Sequence, residues 1–84
     1  MRRLTKLRVI RMNKGFNVKE MAEMIGVDAS LVSAVELRIA FAYPKMRRRI
    51  AEVLGITEDE VFRDGLAMLY EEEVDRAEKV AHRH

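Results

Sequence analysis

Apolar residues recur every three or four positions along most of the chain, and no alternation of apolar and polar positions survives beyond four residues. That periodicity predicts helices and gives no strand signal. Leu4, Leu7 and Ile10 set a first helix over about 3–13, ended by Gly15 as a C-terminal cap that needs no Cβ. Asn17 with Glu20 three residues on reads as a capping box, and Val18, Met21, Ala22 and Ile25 line one face of a second helix closed by Gly26. Asp28 is the next good N-cap, its charge suited to the positive end of a helix dipole. A third helix over about 29–37 then turns Val32 and Val35 inward, with Val27 as a staple before the cap. Residues 38–43, "RIAFAY", read as a connection. Pro44 opens a fourth helix over about 45–54 that buries Met46, Ile50, Val53 and Leu54. Gly55 ends it, and Thr57 with Glu60 makes a second capping box, opening a fifth helix at about 58. Leu66, Leu69, Tyr70, Val74, Ala77 and Ala81 continue at helical spacing, so an amphipathic C-terminal helix is expected over 66–81, with Gly65 as a kink.

Eighty-four residues make one small domain that buries roughly 60% of its unfolded surface, leaving little room for a deep substrate cleft. There is no cysteine, hence no disulfide and no thiolate, which fits a reducing cytoplasm. No apolar run reaches the ~18 residues of a membrane span, and the basic start "MRRLTKLR" lacks the apolar stretch of a secretion signal. A cytoplasmic location is expected. The net charge of +2 hides a division: residues 1–49 carry twelve Lys/Arg and four Asp/Glu, residues 50–84 four and ten. A basic half points to a polyanion, most often nucleic acid. Enzyme signatures are lacking: no Gly-rich phosphate loop, no nucleophile motif, and no third ligand placed to join His82 and His84 on a metal. The expectation is a protein that is not an enzyme and needs no cofactor.

Two short helices joined by a glycine turn make a helix-turn-helix, which holds its second helix out at a steep angle. "TKLRVIRMNKGFNVKEMAEMIGVDASLVSAVE", followed by "RRIAEVLGITEDEVF", resembles the phage-repressor-like, Cro/CI-type (XRE) helix-turn-helix family. The matching marks are Leu7, Arg11, Gly15, Ala22, Ile25, Gly26 and Val27, then Val32, Ser33, Val35 and Glu36, then Ile50, Ala51, Leu54, Gly55 and Phe62. They span residues 4–62, about 70% of the chain. The resemblance implies an all-α, five-helix lambda-repressor-like domain over residues 1–64, here with an extra C-terminal helix over 65–84. It also implies a homodimeric transcriptional regulator, expected to be a repressor, that binds a pseudo-palindromic operator in double-stranded DNA through the third helix, about 28–37. Arg11 and Glu36 match positions that form a partly buried ion pair in the family.

Base-reading positions in the family match Asp28, Ala29, Ser30, Ser33 and Ala34. None of these is Gln, Asn, Arg or Lys, the side chains that read bases in bidentate fashion. Ala29 and Ala34 would touch thymine methyls and Ser30 and Ser33 would give single hydrogen bonds. Phosphate contacts are expected from Lys14, Asn17, Val18, Lys19, Arg38, Lys45, Arg47 and Arg48. Val18 stands where the family usually has glutamine, so its part falls to the backbone amide. Three consecutive arginines span nearly a helical turn and cannot share one partner, so Arg49 is expected to lay its stem over the core. Leu37 and Arg38 replace the family's common Asn-Gly, so the exit from the third helix must turn by another route.

Leu66, Leu69, Tyr70 and Val74 form a stripe read as the dimer interface, or else as a helix folded back on its own core. A second reading keeps the fold but makes it a protein-interaction module, antitoxin or antirepressor-like, with Leu31 and Leu37 facing a protein partner. A membrane partner is not expected, because the polar face of the C-terminal helix is acidic.

Overall fold

The computed structural model describes residues 4–70. Helix α1, Lys6–Asn13, starts later than the apolar spacing predicts. Thr5 is its N-cap, the hydroxyl accepting from the Arg8 amide at 3.3 Å. Leu4 cannot join the helix because its stretch is paired elsewhere: the Tyr70 amide donates to the Leu4 carbonyl and the Lys6 amide to the Met68 carbonyl, each at 2.9 Å.

Helix α2, Val18–Ile25, begins at a complete capping box. The Glu20 amide donates to Asn17 Oδ1 at 2.7 Å and the Asn17 amide to Glu20 Oε1 at 2.9 Å. Gly26 ends the helix with φ at 76°, a left-handed conformation in which a side chain would be strained. Two residues later Asp28 caps α3, Ala29–Glu36, and α2 and α3 pack on each other. Helix α4, Pro44–Leu54, carries proline in its first turn, where the missing N–H has no partner to lose. The core joins Leu7 of α1, Met21 and Ile25 of α2, Val32 and Val35 of α3, and Met46, Ile50 and Leu54 of α4. Full burial of each large member contributes about 1.5–3 kcal/mol.

The fifth helix is a correction. The Thr57–Glu60 capping box forms, but it opens only a 3-10 turn, Glu58–Glu60. The chain then makes an antiparallel hairpin of β1, Phe62–Arg63, and β2, Leu66–Ala67. Asp64 and Gly65 connect the strands with φ of 55° and 82°. Two consecutive positive φ values are the type I′ pattern, whose twist matches that of paired strands. Gly65 is therefore the corner of a hairpin and not a kink in a helix. The domain boundary expected after residue 64 falls inside this turn. Among the described residues the protein is mostly helical, with four α-helices and one two-stranded sheet, and not the five-helix arrangement expected.

The start of the expected C-terminal helix is corrected as well. Leu66 and Ala67 are strand, and Leu69 bridges Thr5. Leu69 is 8% exposed and buried in its own chain. It is unavailable as a dimer contact, and Leu66 is half-buried beside it. Tyr70 remains exposed, while Val74 and the rest of the 66–81 stripe lie outside the described residues. Among the described residues, no helix is long and apolar enough to cross a membrane.

Candidate nucleic-acid interface

Helix α3 is fastened at its C-terminal end. Arg11 Nε donates to Glu36 Oε2 at 2.5 Å and Nη2 to Oε1 at 3.1 Å, a bidentate pair with both side chains buried. Arg11 Nη1 also donates to the Phe16 carbonyl at 2.6 Å, so one guanidinium ties the end of α3 to the turn between α1 and α2. The fully buried Thr5 hydroxyl donates to the Glu36 carbonyl at 3.0 Å. Two residues of α1 and its cap thus grip one residue of α3.

The exit from α3 uses the turn that Asn-Gly would make, without the glycine. Arg38 itself takes φ of 64°. The Ile39 amide donates to the Ala34 carbonyl at 2.8 Å and the Arg38 amide to Val35 at 3.1 Å, completing a Schellman cap. Arg38 is half-buried, and its Nε is buried without a hydrogen-bond partner among the described residues.

The outward side of α3 is made of short side chains. Asp28 and Ser30 are exposed, while Ala29, Ser33 and Ala34 are half-buried. The Asp28 carboxylate accepts from the Ser30 hydroxyl and, at 3.2 Å, from the Ser30 amide. The hydroxyl bond first, then the amide, holds the Asp28 carboxyl below the usual carboxylate range. The Ser30 hydroxyl donates to Asp28 and keeps only acceptor capacity for a base edge. Ser33 lines a small recess with Arg8, Val18 and Glu36. Leu31, expected outward, instead packs against the core, whereas Leu37 is exposed.

The expected phosphate ligands divide. Lys14, Lys19, Lys45 and Arg48 are exposed cations. Asn17 is exposed, but its side-chain oxygen is held by the Glu20 amide, leaving its NH2 group to donate. The Val18 side chain packs toward the core, and only its amide stays at the helix start, ahead of the first intrahelical bond from Met21 to Asn17. Arg47 is engaged within its own chain. Its Nε donates to Glu58 Oε1 at 3.3 Å and its Nη1 to the Ala42 carbonyl, so it braces the connection before α4 against the 3-10 turn. Arg49 donates to the Ile25 carbonyl at 3.3 Å and satisfies the open end of α2, a structural role beyond the stem-packing expected of it.

One surface feature escaped the sequence reading. Ile39, Phe41 and Tyr43 stand exposed at alternate positions of the connection between α3 and α4, while Ala42 is buried between them. The alternation in "IAFAY" was its signal, masked because the intervening residues are alanines and not polar. Compared with known proteins, the chain has no significant match to a family model, a curated protein or a solved structure.

Proposed function

We propose that the protein is a duplex-DNA-binding transcriptional regulator, a repressor of the Cro/CI-like kind, that lays α3 in the major groove as a homodimer on two inverted half-sites. The observation that carries the reading is the asymmetry of α3. Its C-terminal end is locked by Arg11, Glu36 and Thr5, while its start exposes the short residues Asp28 and Ser30, with Ala29, Ser33 and Ala34 half-buried beside them and Leu37 exposed at its end. Short side chains let the helix backbone come close to the groove floor, and a major groove admits one α-helix. Lys14 and Lys19 flank the start of α2, and Lys45 and Arg48 lie on the exposed side of α4. These four supply the phosphate grip, together with the first amides of α2.

Direct readout by such a face is modest. Asp28 accepts from a cytosine amine, and the alanines meet thymine methyls. Half-site spacing and DNA shape supply the remaining discrimination. Four cations from each protomer give a dimer about eight phosphate contacts, so affinity falls about 10³- to 10⁵-fold between 50 and 200 mM salt. Selection of bound sequences from random duplexes tests the reading. It should return a split motif with two inverted halves; failure to enrich any motif, together with no gel shift at low salt, would overturn it.

A further inference from the structure

We infer that the open cavity between the α3–α4 connection and the hairpin is a binding site for a small organic dication of the alkyl-diammonium class. Its volume, about 540 Å³, is that of a small-molecule site. Three aromatic side chains line it: Phe41 and Tyr43 from the connection and Phe62 from β1. Phe62 is buried, but Phe41 is 65% exposed and Tyr43 46%, so two of the three rings keep much of their surface open. The rest of the lining is polar and mostly acidic: Glu58, Asp59 and Asp64 stand against a single guanidinium, Arg47. Arg47 is already engaged, its Nε with Glu58 at 3.3 Å and its Nη1 with the Ala42 carbonyl. Asp59 and Asp64 are exposed and have no hydrogen-bond or ion-pair partner among the described residues. Two uncompensated carboxylates therefore share one cavity with open aromatic rings.

That combination selects the ligand. An anion is repelled by the carboxylates, and the positive end of α4, which begins at Pro44 on the cavity wall, offsets only about half a charge. A hard metal cation wants several convergent oxygens, and among the described residues no group of three or more His, Cys, Asp or Glu could hold one. A neutral apolar ligand would cover the carboxylates without giving them a partner. An alkyl diammonium meets both demands. Its two ammonium groups donate to the two carboxylates, and its methylenes lie on ring faces whose quadrupole attracts a cation. The site is built before the ligand arrives. The Ala42 amide donates to the Gly65 carbonyl at 2.8 Å, tying the connection to the hairpin corner. A Cβ added to Gly65 would stand 3.3 Å from the Phe41 ring and 3.5 Å from Arg47 Nη1, so the glycine keeps that corner open. Little ordering entropy is left to lose on binding. The inference goes beyond the DNA-binding reading, does not rest on it, and is tested without DNA.

Titration of the isotope-labelled full chain with diaminobutane at low salt, followed by backbone amide chemical shifts, measures it. Saturable shifts should cluster at residues 41–47 and 58–65, and butanediol, the neutral isostere, should produce none. The double variant Asp59→Asn, Asp64→Asn should bind at least ~10-fold more weakly, because both charge-assisted bonds are lost. Both positions are exposed, and Asn takes the left-handed conformation of the hairpin corner as readily as Asp, so the fold is kept. Phe41→Leu retains the apolar bulk without the ring quadrupole and should weaken binding about 2- to 5-fold. Four results would each overturn the inference. They are the absence of saturable shifts, shifts confined to the acidic run Glu71–Glu73, an equal response to magnesium chloride at matched ionic strength, and an affinity that either variant leaves unchanged.

Discussion

The two ends of α3 are held in different ways. The C-terminal end is fixed by bonds that cross 25 and 31 residues of sequence, from Arg11 and Thr5 to Glu36, all buried. The N-terminal end is fixed by bonds that span two residues, between Asp28 and Ser30, all exposed. A helix aimed from its rear keeps its front free for a partner. The orientation of the front is then a property of the core and not of the exposed side.

The strongest way to break this contrast is at the rear. Glu36→Gln keeps the shape but leaves the buried Arg11 guanidinium without its counter-charge, a loss of about 3 kcal/mol. For a domain of this size that lowers the melting temperature by more than about 10 °C. Calorimetry of the two proteins measures it, and an unchanged melting temperature would show that the rear anchor is not what holds α3. If the anchor aims α3 as proposed, operator affinity should fall with stability, although Glu36 is buried and touches no ligand.

That anchor was legible in the sequence only through resemblance, because nothing in local spacing says that Arg11 meets Glu36. Local signals performed where the decision is local. Asn17 with Glu20, Gly26 in the left-handed region and Asp28 as a cap each follow from one turn of backbone, and each stands in the structure. The hairpin is hidden from the helical periodicity because two local signals conflict. Thr57 and Glu60 do cap a helical turn, and Leu66, Leu69 and Tyr70 do keep helical spacing. Yet Asp-Gly at 64–65 is a strong two-residue hairpin signal, and β-branched Val61 with aromatic Phe62 favours extension just before it. Tertiary pairing decided the matter: the N-terminal stretch at Leu4–Lys6 offers hydrogen-bonding partners to Met68 and Tyr70, which a helix there could not use. At the candidate interface the exposed cations were foreseeable, but the inward turn of Arg47 was not. Its partners, Glu58 and the Ala42 carbonyl, come together only once the connection before α4 and the 3-10 turn are folded.

The exit from α3 sharpens the comparison with a smaller effect of opposite sign. Arg38 sits in the left-handed region, which costs about 1–2 kcal/mol for a residue with a Cβ. Arg38→Gly removes that strain and adds about 0.5–1 kcal/mol of unfolded-chain entropy to be lost on folding, for a net stabilisation of roughly 0.5 kcal/mol. Chemical denaturation should show a higher midpoint at unchanged slope. Since Arg38 is half-buried and is not among the four exposed cations of the proposed grip, affinity for duplex DNA should hold within about 2-fold; a steep loss would count Arg38 among the phosphate ligands.

The smallest effect belongs to the front. The Asp28 carboxyl is held below the usual carboxylate range by the Ser30 hydroxyl and amide. A depressed folded-state value means that the charged form favours folding. This contribution is complete above the ordinary carboxylate range, and it disappears as pH falls through the lowered value. Asn is as good an N-cap as Asp, so Asp28→Asn removes the charge while keeping the cap. Wild type should melt slightly above Asp28→Asn at pH 6, and the gap should close by pH 2 and narrow in 1 M salt, because the group is exposed and readily screened. Thermal melts at both pH values read it directly. A large gap, or one that persists in acid, would mean that the front of α3 is fastened as firmly as its rear, and the helix would then be an internal strut rather than a surface offered to DNA.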